Sequence, residues 1–167
     1  MKIFYHGTSA LLPFPRFDPR QIGSGMGGDF GGFFFTDSKR NAEFYAEALL
    51  CTVEIADLVP TTGEHMPTVM ERAVSDGRNY VVADVLDGPK VSTIAAVPAA
   101  NVDDIHITGW FLAVDEAIYH EALFDLFDVE DALDECERVE DVLGMMGIDL
   151  DDMLEFAPFR SFYERLA

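Results

Sequence analysis

The chain has 167 residues, 49% of them hydrophobic and 14 of them phenylalanine, which is enough apolar mass to bury a sizeable core in one domain. A formal net charge of −20 argues against direct binding to a nucleic-acid backbone, because no surplus of cations is left to neutralise phosphates. Cys51 and Cys136 follow no metal-ligand spacing, no apolar run approaches the roughly 18 residues that span a bilayer, and MKIFYHG lacks a signal-peptide shape, so the expectation is a reduced, cytoplasmic setting with no metal and no membrane.

The acid is unevenly spread. Of the 31 acidic residues 17 fall from Trp110 onward, against 3 of the 11 basic ones. That shift sets the expected division into a body at residues 1–109 and an acidic appendage at residues 110–167. An acidic surface of this kind favours solubility or a basic partner.

In chain order, Lys2 to His6 reads as a short strand ending at Gly7-Thr8-Ser9. Leu11 to Gly28 has three prolines, several glycines and no steady period, so it is a long loop anchored by Phe14, Phe17 and Ile22. Loops of that length inside a small domain are usually functional. Gly31 to Phe35 reads as a buried strand, and Thr36-Asp37-Ser38 offers oxygens to cap a helix running from about Lys39 to Leu50. Leu50 to Val59 alternates as a strand, Met66 to Val74 is a short helix ended by Gly77, and Asn79 to Leu86 is a strand closed by the Asp87-Gly88-Pro89 turn. Ser92 to Val97 and Val102 to Ile107 are the last strands. Beyond Trp110, Ala113 to Phe127 and Glu130 to Met146 read as amphipathic acidic helices and Asp149 to Phe156 and Pro158 to Leu166 as two shorter helices, with Leu123, Phe124, Leu154 and Phe156 among the side chains turned inward. The fold class is therefore α+β, with a helical C-terminal appendage that either covers one face of the core or docks a basic protein.

Gly23-Ser24-Gly25-Met26-Gly27-Gly28 fits the pattern G-x-G-x-x-G. The dinucleotide fingerprint needs a strand before it and a helix after it, whereas here a Pro-rich loop precedes and a strand follows, so a mobile glycine loop over a ligand is the better reading. His6 at a strand end is either satisfied by a nearby backbone group or free to bond a ribose hydroxyl, with Gly7 leaving room for a flat amide. Tyr45 is either a core residue or a stacking platform. His65, His106 and His120 are isolated, and no Ser-His-Asp set can be assembled.

Taken together, Tyr5-His6-Gly7-Thr8, then Phe17-Asp18 and the glycine loop, then Gly32-Phe33-Phe34-Phe35-Thr36-Asp37 followed by Ala42 and Tyr45, resemble the NAD-binding core of the ADP-ribosyltransferase superfamily. The likeness is to its diphtheria-toxin and poly(ADP-ribose)-polymerase branch, and above all to the small domains of phage polyvalent proteins. It covers roughly residues 3 to 107 and includes the late strand pair with its Asp-Gly turn.

The resemblance implies a split β-sheet core with peripheral helices, NAD as substrate, and transfer of ADP-ribose to a macromolecular acceptor with release of nicotinamide. In that reading His6 holds the nicotinamide ribose, the Gly7 backbone pairs with the carboxamide, and Tyr45 stacks on the nicotinamide ring. Thr8, Gly23, Gly25 and Gly32 join the binding site, the glycine loop lies near the adenosine and pyrophosphate, and Phe34 stands at the second-motif tyrosine position. Thr93 aligns where many members have a glutamate, and Glu54, Asp84 and Asp87 are the acids that could replace it. A threonine cannot supply negative charge, so the alternative is a catalytically silent domain of the same fold that binds a nucleotide or a basic partner. Net charge alone also leaves room for a DNA-mimicking inhibitor.

Overall fold

The computed structural model describes residues 1–23, 29–63, 65–126, 154–155 and 157–166. Its strands are β1 (Ile3–Thr8), β2 (Gly32–Thr36), β3 (Leu49–Ile55), β4 (Leu58–Pro60), β5 (Asn79–Asp87), β6 (Lys90–Pro98) and β7 (Ile105–Leu112). Its helices are α1 (Lys39–Tyr45), α2 (Met66–Asp76), α3 (Glu116–Leu126) and α4 (Ala157–Leu166), with short 3-10 turns at Pro19–Gln21 and Ala99–Asp104. The strands form one sheet in the order β4-β5-β6-β2-β1-β3-β7, antiparallel except for the β4–β5 pair. The α+β class is therefore as expected.

The period of two along each strand assigns the two faces of the sheet. Phe4, Phe33, Phe35, Leu49, Cys51, Val53, Ala95, Val97 and Trp110 share one face, where the Phe17 loop, Tyr119 of α3 and Phe162 of α4 cover them. The opposite face carries Val82, Ile94 and Ala96 under Val69, Met70 and Ala73 of α2, with Phe34 packed beside them. Helix α1 lies on that second face too. A Cβ on Gly7 would collide with the Ala42 carbonyl and the Ala46 nitrogen, and one on Gly32 would collide with Val97 and Met70.

The joint at the centre of the sheet is narrow. Strand β1 runs beside β3 through six register positions, from Ile3 opposite Glu54 to Thr8 opposite Leu49. Against β2 it holds only one, Tyr5 opposite Thr36. Beyond that point His6, Gly7 and Thr8 have no register partner on β2.

Several boundaries differ from expectation. Helix α1 starts at its Ser38 cap, whose side chain accepts from the Asn41 N–H, but it ends at Tyr45. Leu49 and Leu50 are fully buried between β1 and β7, and that pairing overrides their helical spacing. The single strand expected over Leu50–Val59 is broken at Asp57, which adopts φ 51°, a left-handed conformation that aspartate tolerates. The last strand begins at Ile105 and continues to Leu112.

Strand β7 thus runs through the 109/110 boundary drawn from composition, and Trp110 is a fully buried core residue opposite Cys51. The body and the two C-terminal helices are tied together further on: Tyr119 of α3 donates to the Leu11 carbonyl of the loop after β1 at 2.9 Å, Arg165 of α4 donates to the Trp110 carbonyl, and its guanidinium lies 4.9 Å from the Phe111 ring centre. The helix expected over Glu130–Met146 lies outside the described residues. Among the described residues no helix is long and apolar enough to cross a membrane, and no cluster of ligating side chains could hold a metal.

Candidate functional site

A cleft of about 1460 Å³ opens where β1 and β2 part. Its walls are His6, Gly7 and Thr8 from β1, Gly32 to Thr36 from β2, the loop from Ser9 to Gly23, Tyr45 of α1, and Asp87 at the end of β5. The volume exceeds the roughly 300–1,000 Å³ of most small-molecule pockets, so an extended ligand fits.

His6 Nδ1 lies 2.8 Å from the Phe34 carbonyl oxygen. A carbonyl only accepts, so Nδ1 carries the ring proton and Nε2 is left as an acceptor. Burial pushes the His6 pKa below its ordinary value, and the upward pull of the Phe34 carbonyl is smaller. The ring is therefore neutral near pH 7. Phe17 and Phe35 hold it with centroids 5.1 and 5.2 Å away.

Also lining the cleft, the Tyr45 hydroxyl donates to Asp87 Oδ1 at 2.7 Å. Burial, and then this bond, push the Tyr45 hydroxyl up to about 12. Phe34 lines the cleft, half-buried, with Phe30 in a T-shaped contact at 6.1 Å. Gly23 lines it with φ +82°, a conformation that suits glycine. Gly25 lies outside the described residues.

Four other residues named from the sequence have specific structural duties. The Thr8 hydroxyl accepts from the Ala10 N–H, closing the turn after β1. Gly7 and Gly32 are required by helix packing, since α1 and α2 occupy the space that a Cβ would need. Thr93 is not among the cleft residues. The alternation along β6 puts it on the face opposite α1, where its N–H donates to Asp37 Oδ1 at 2.8 Å and its carbonyl accepts from the Asp37 N–H.

Its neighbour Ser92 is the residue on the α1 side of β6. The Thr36 hydroxyl donates to Ser92 Oγ at 3.0 Å, and so does Asn41 Nδ2. Asn41 also donates to the Lys90 carbonyl and accepts from the Lys90 N–H, so this fully buried amide pins α1 to the start of β6. Sequence reading missed this neutral network. Its signal was strand parity, which needs the ladder register to be read.

Of the three acids considered as replacements, Asp87 alone lines the cleft; Glu54 and Asp84 do not. Two cations also line it, Arg16 and Arg20. Arg20 is committed to Asp18 at 2.6–3.0 Å, and its hydrogen bond holds that carboxyl down at about 2. Arg16 forms no ion pair among the described residues.

Comparison of the chain with family models, with curated proteins and with solved structures finds no match in any of the three.

Proposed function

We propose that the chain is an NAD-dependent mono-ADP-ribosyltransferase that transfers ADP-ribose to a protein or other macromolecular acceptor and releases nicotinamide. One observation carries the reading. His6, from a strand ending His-Gly-Thr, is fixed as a neutral ring in the lining of a large cleft, with Nε2 free to accept from a hydroxyl and with Tyr45 lining the same cleft. A histidine that merely closed a strand end would need no cleft behind it.

The chemistry asks little acid–base work of the protein. The bond from the anomeric carbon to the nicotinamide nitrogen breaks, and its electron pair leaves with neutral nicotinamide. An acceptor hydroxyl or other nucleophile then bonds the anomeric carbon and gives its proton to solvent. The protein's part is to clamp the ribose, hold the ring flat and shield the reacting carbon from water. His6 Nε2 suits the first task, and the aromatic walls of Tyr45 and Phe34 suit the second. Arg16 is the cation available to the pyrophosphate.

The second reading, a silent domain of this fold that binds a nucleotide or a basic partner, is favoured by the neutral Thr36–Ser92–Asn41 network. Thr93, where the resemblance expects the acid, does not line the cleft, and its neighbour Ser92 is held in this network.

Calorimetric titration of NAD, with nicotinamide release followed in the same samples, separates the readings. The expected result is binding with slow release, and loss of both in His6→Ala and Tyr45→Ala. Binding without release, with or without a supplied protein acceptor, favours the silent domain. No binding refutes both nicotinamide-site assignments.

A further inference from the structure

We infer that Asp87 supplies the negative charge of this site, from the β5–β6 turn and not from the strand position where the resemblance expects an acid. The inference rests on the transferase reading and deepens it.

The start of β6 supplies no acid on either face. On β6 the side chain facing α1 is Ser92, 7% exposed, and its oxygen is already shared by Thr36 and Asn41. A carboxylate there would displace a satisfied network and be buried with no cation beside it. Thr93 faces away and is bonded to Asp37 through its backbone.

Four carboxylates do line the cleft: Asp18, Glu47, Asp87 and Asp103. Asp18 is neutralised by its fork with Arg20. Glu47 and Asp103 are exposed, and among the described residues no hydrogen bond or ion pair fixes either carboxylate. Asp87 differs on both counts. It forms no ion pair, not even with Lys90 across its own turn, and its Oδ1 is fixed by the Tyr45 hydroxyl at 2.7 Å. Oδ2 has no partner among the described residues. One oxygen thus positions the stacking ring while the other is free to meet a ribose hydroxyl.

As the bond to nicotinamide breaks, positive charge grows on the anomeric carbon and the adjoining ring oxygen. An oriented, uncompensated carboxylate beside the nicotinamide wall stabilises that charge more than it stabilises bound NAD. The site therefore keeps its electrostatic component although β6 carries no acid.

The test compares Asp87→Asn, Glu47→Gln and Tyr45→Phe with the unaltered chain, measuring NAD affinity and single-turnover nicotinamide release, with thermal unfolding as the folding control. Asparagine keeps an oxygen for the Tyr45 hydroxyl and removes only the charge. Asp87→Asn is expected to leave NAD affinity within about threefold while slowing release about 100-fold or more, the size seen when one oriented electrostatic group is lost. Tyr45→Phe keeps the ring and the charge and is expected to lose about tenfold, on the scale of one hydrogen bond. Glu47→Gln should release at the unaltered rate.

Release by Asp87→Asn within threefold of the unaltered chain overturns the proposal and leaves NAD binding standing. So does a larger loss in Glu47→Gln than in Asp87→Asn, or an unaltered chain that binds NAD and releases nothing. An unaltered chain that binds no NAD removes the underlying transferase reading together with it.

Discussion

His6 and Phe34 sit on strands that have already parted, yet His6 Nδ1 bonds the Phe34 carbonyl at 2.8 Å. The side chain takes over where the backbone ladder stops after Tyr5 and Thr36. This one bond meets both readings of a histidine at a strand end. It satisfies a backbone carbonyl, and in doing so it fixes the tautomer that leaves Nε2 as an acceptor.

Burial of His6 gives a pH dependence of known sign, which the bond to Phe34 opposes only in part. The His6 pKa is lowered in the folded state, chiefly by burial, relative to an ordinary value of 6.5. The native state therefore binds fewer protons than the unfolded chain between the two pKa values. Its stabilising contribution is complete above about pH 6.5 and is lost as pH falls from there toward the folded pKa. Denaturant unfolding of the unaltered chain and of His6→Gln at pH 7.5 and 5.5 should show a steeper acid loss in the unaltered chain. Equal losses would count against a neutral His6.

Gly7→Ala tests whether the His-Gly pair is set by packing as well as by a ligand. The added methyl meets the backbone of α1 at Ala42 and Ala46, which no rotamer change can relieve. A cost of roughly 3 kcal/mol or more is expected, at the upper end of overpacking penalties. Equilibrium unfolding checks it, and a cost under about 1 kcal/mol would show that α1 can move away from β1.

How much was legible in the sequence divides along the same physical line. Local signals read well. The Ser38 cap, the Gly77 stop in its left-handed conformation and the Asp87-Gly88 turn lie where the residues say, since each depends on a few neighbours. Phe17 too is the buried anchor its loop needed. Features that depend on partners did not read. Leu49 and Leu50 have helical spacing but lie between two strands, and the ladder alone decides that. Thr93 and Ser92 differ by one residue in a pattern of period two, so they take opposite faces, and only the ladder register says which face is which. Trp110 stands where the composition changes, but composition does not report that β7 continues to Leu112.

The amide of Asn41 offers a stability test independent of any ligand. It is fully buried and makes three bonds, to the Lys90 carbonyl, the Lys90 N–H and Ser92 Oγ. Asn41→Ala leaves those groups unpaired beneath α1, at a cost of about 2–3 kcal/mol. The loss should be local to the α1–hairpin contact, so hydrogen exchange ought to rise at Lys90 and along α1 before it rises in β3. Uniform acceleration across the sheet would argue that the network is part of the global core.

The division at residue 109 makes the sharpest demand on the structure. Ending the chain at Gly109 removes Trp110, Tyr119 and Phe162, exposed by 0%, 0% and 2%, from one face of the sheet. It also strips β3 of its partners at Leu49, Leu50 and Cys51, which pair with Leu112, Phe111 and Trp110. Truncating one buried aromatic typically costs about 3–5 kcal/mol, so three cost on the order of 10 kcal/mol. That matches the whole stability of an ordinary domain, roughly 5–15 kcal/mol. A chain of residues 1–109 is therefore expected to show no cooperative thermal transition, and to recover none when NAD is added. A cooperative transition within about 5 °C of the full chain would establish residues 1–109 as a unit on their own and reduce α3 and α4 to an attachment.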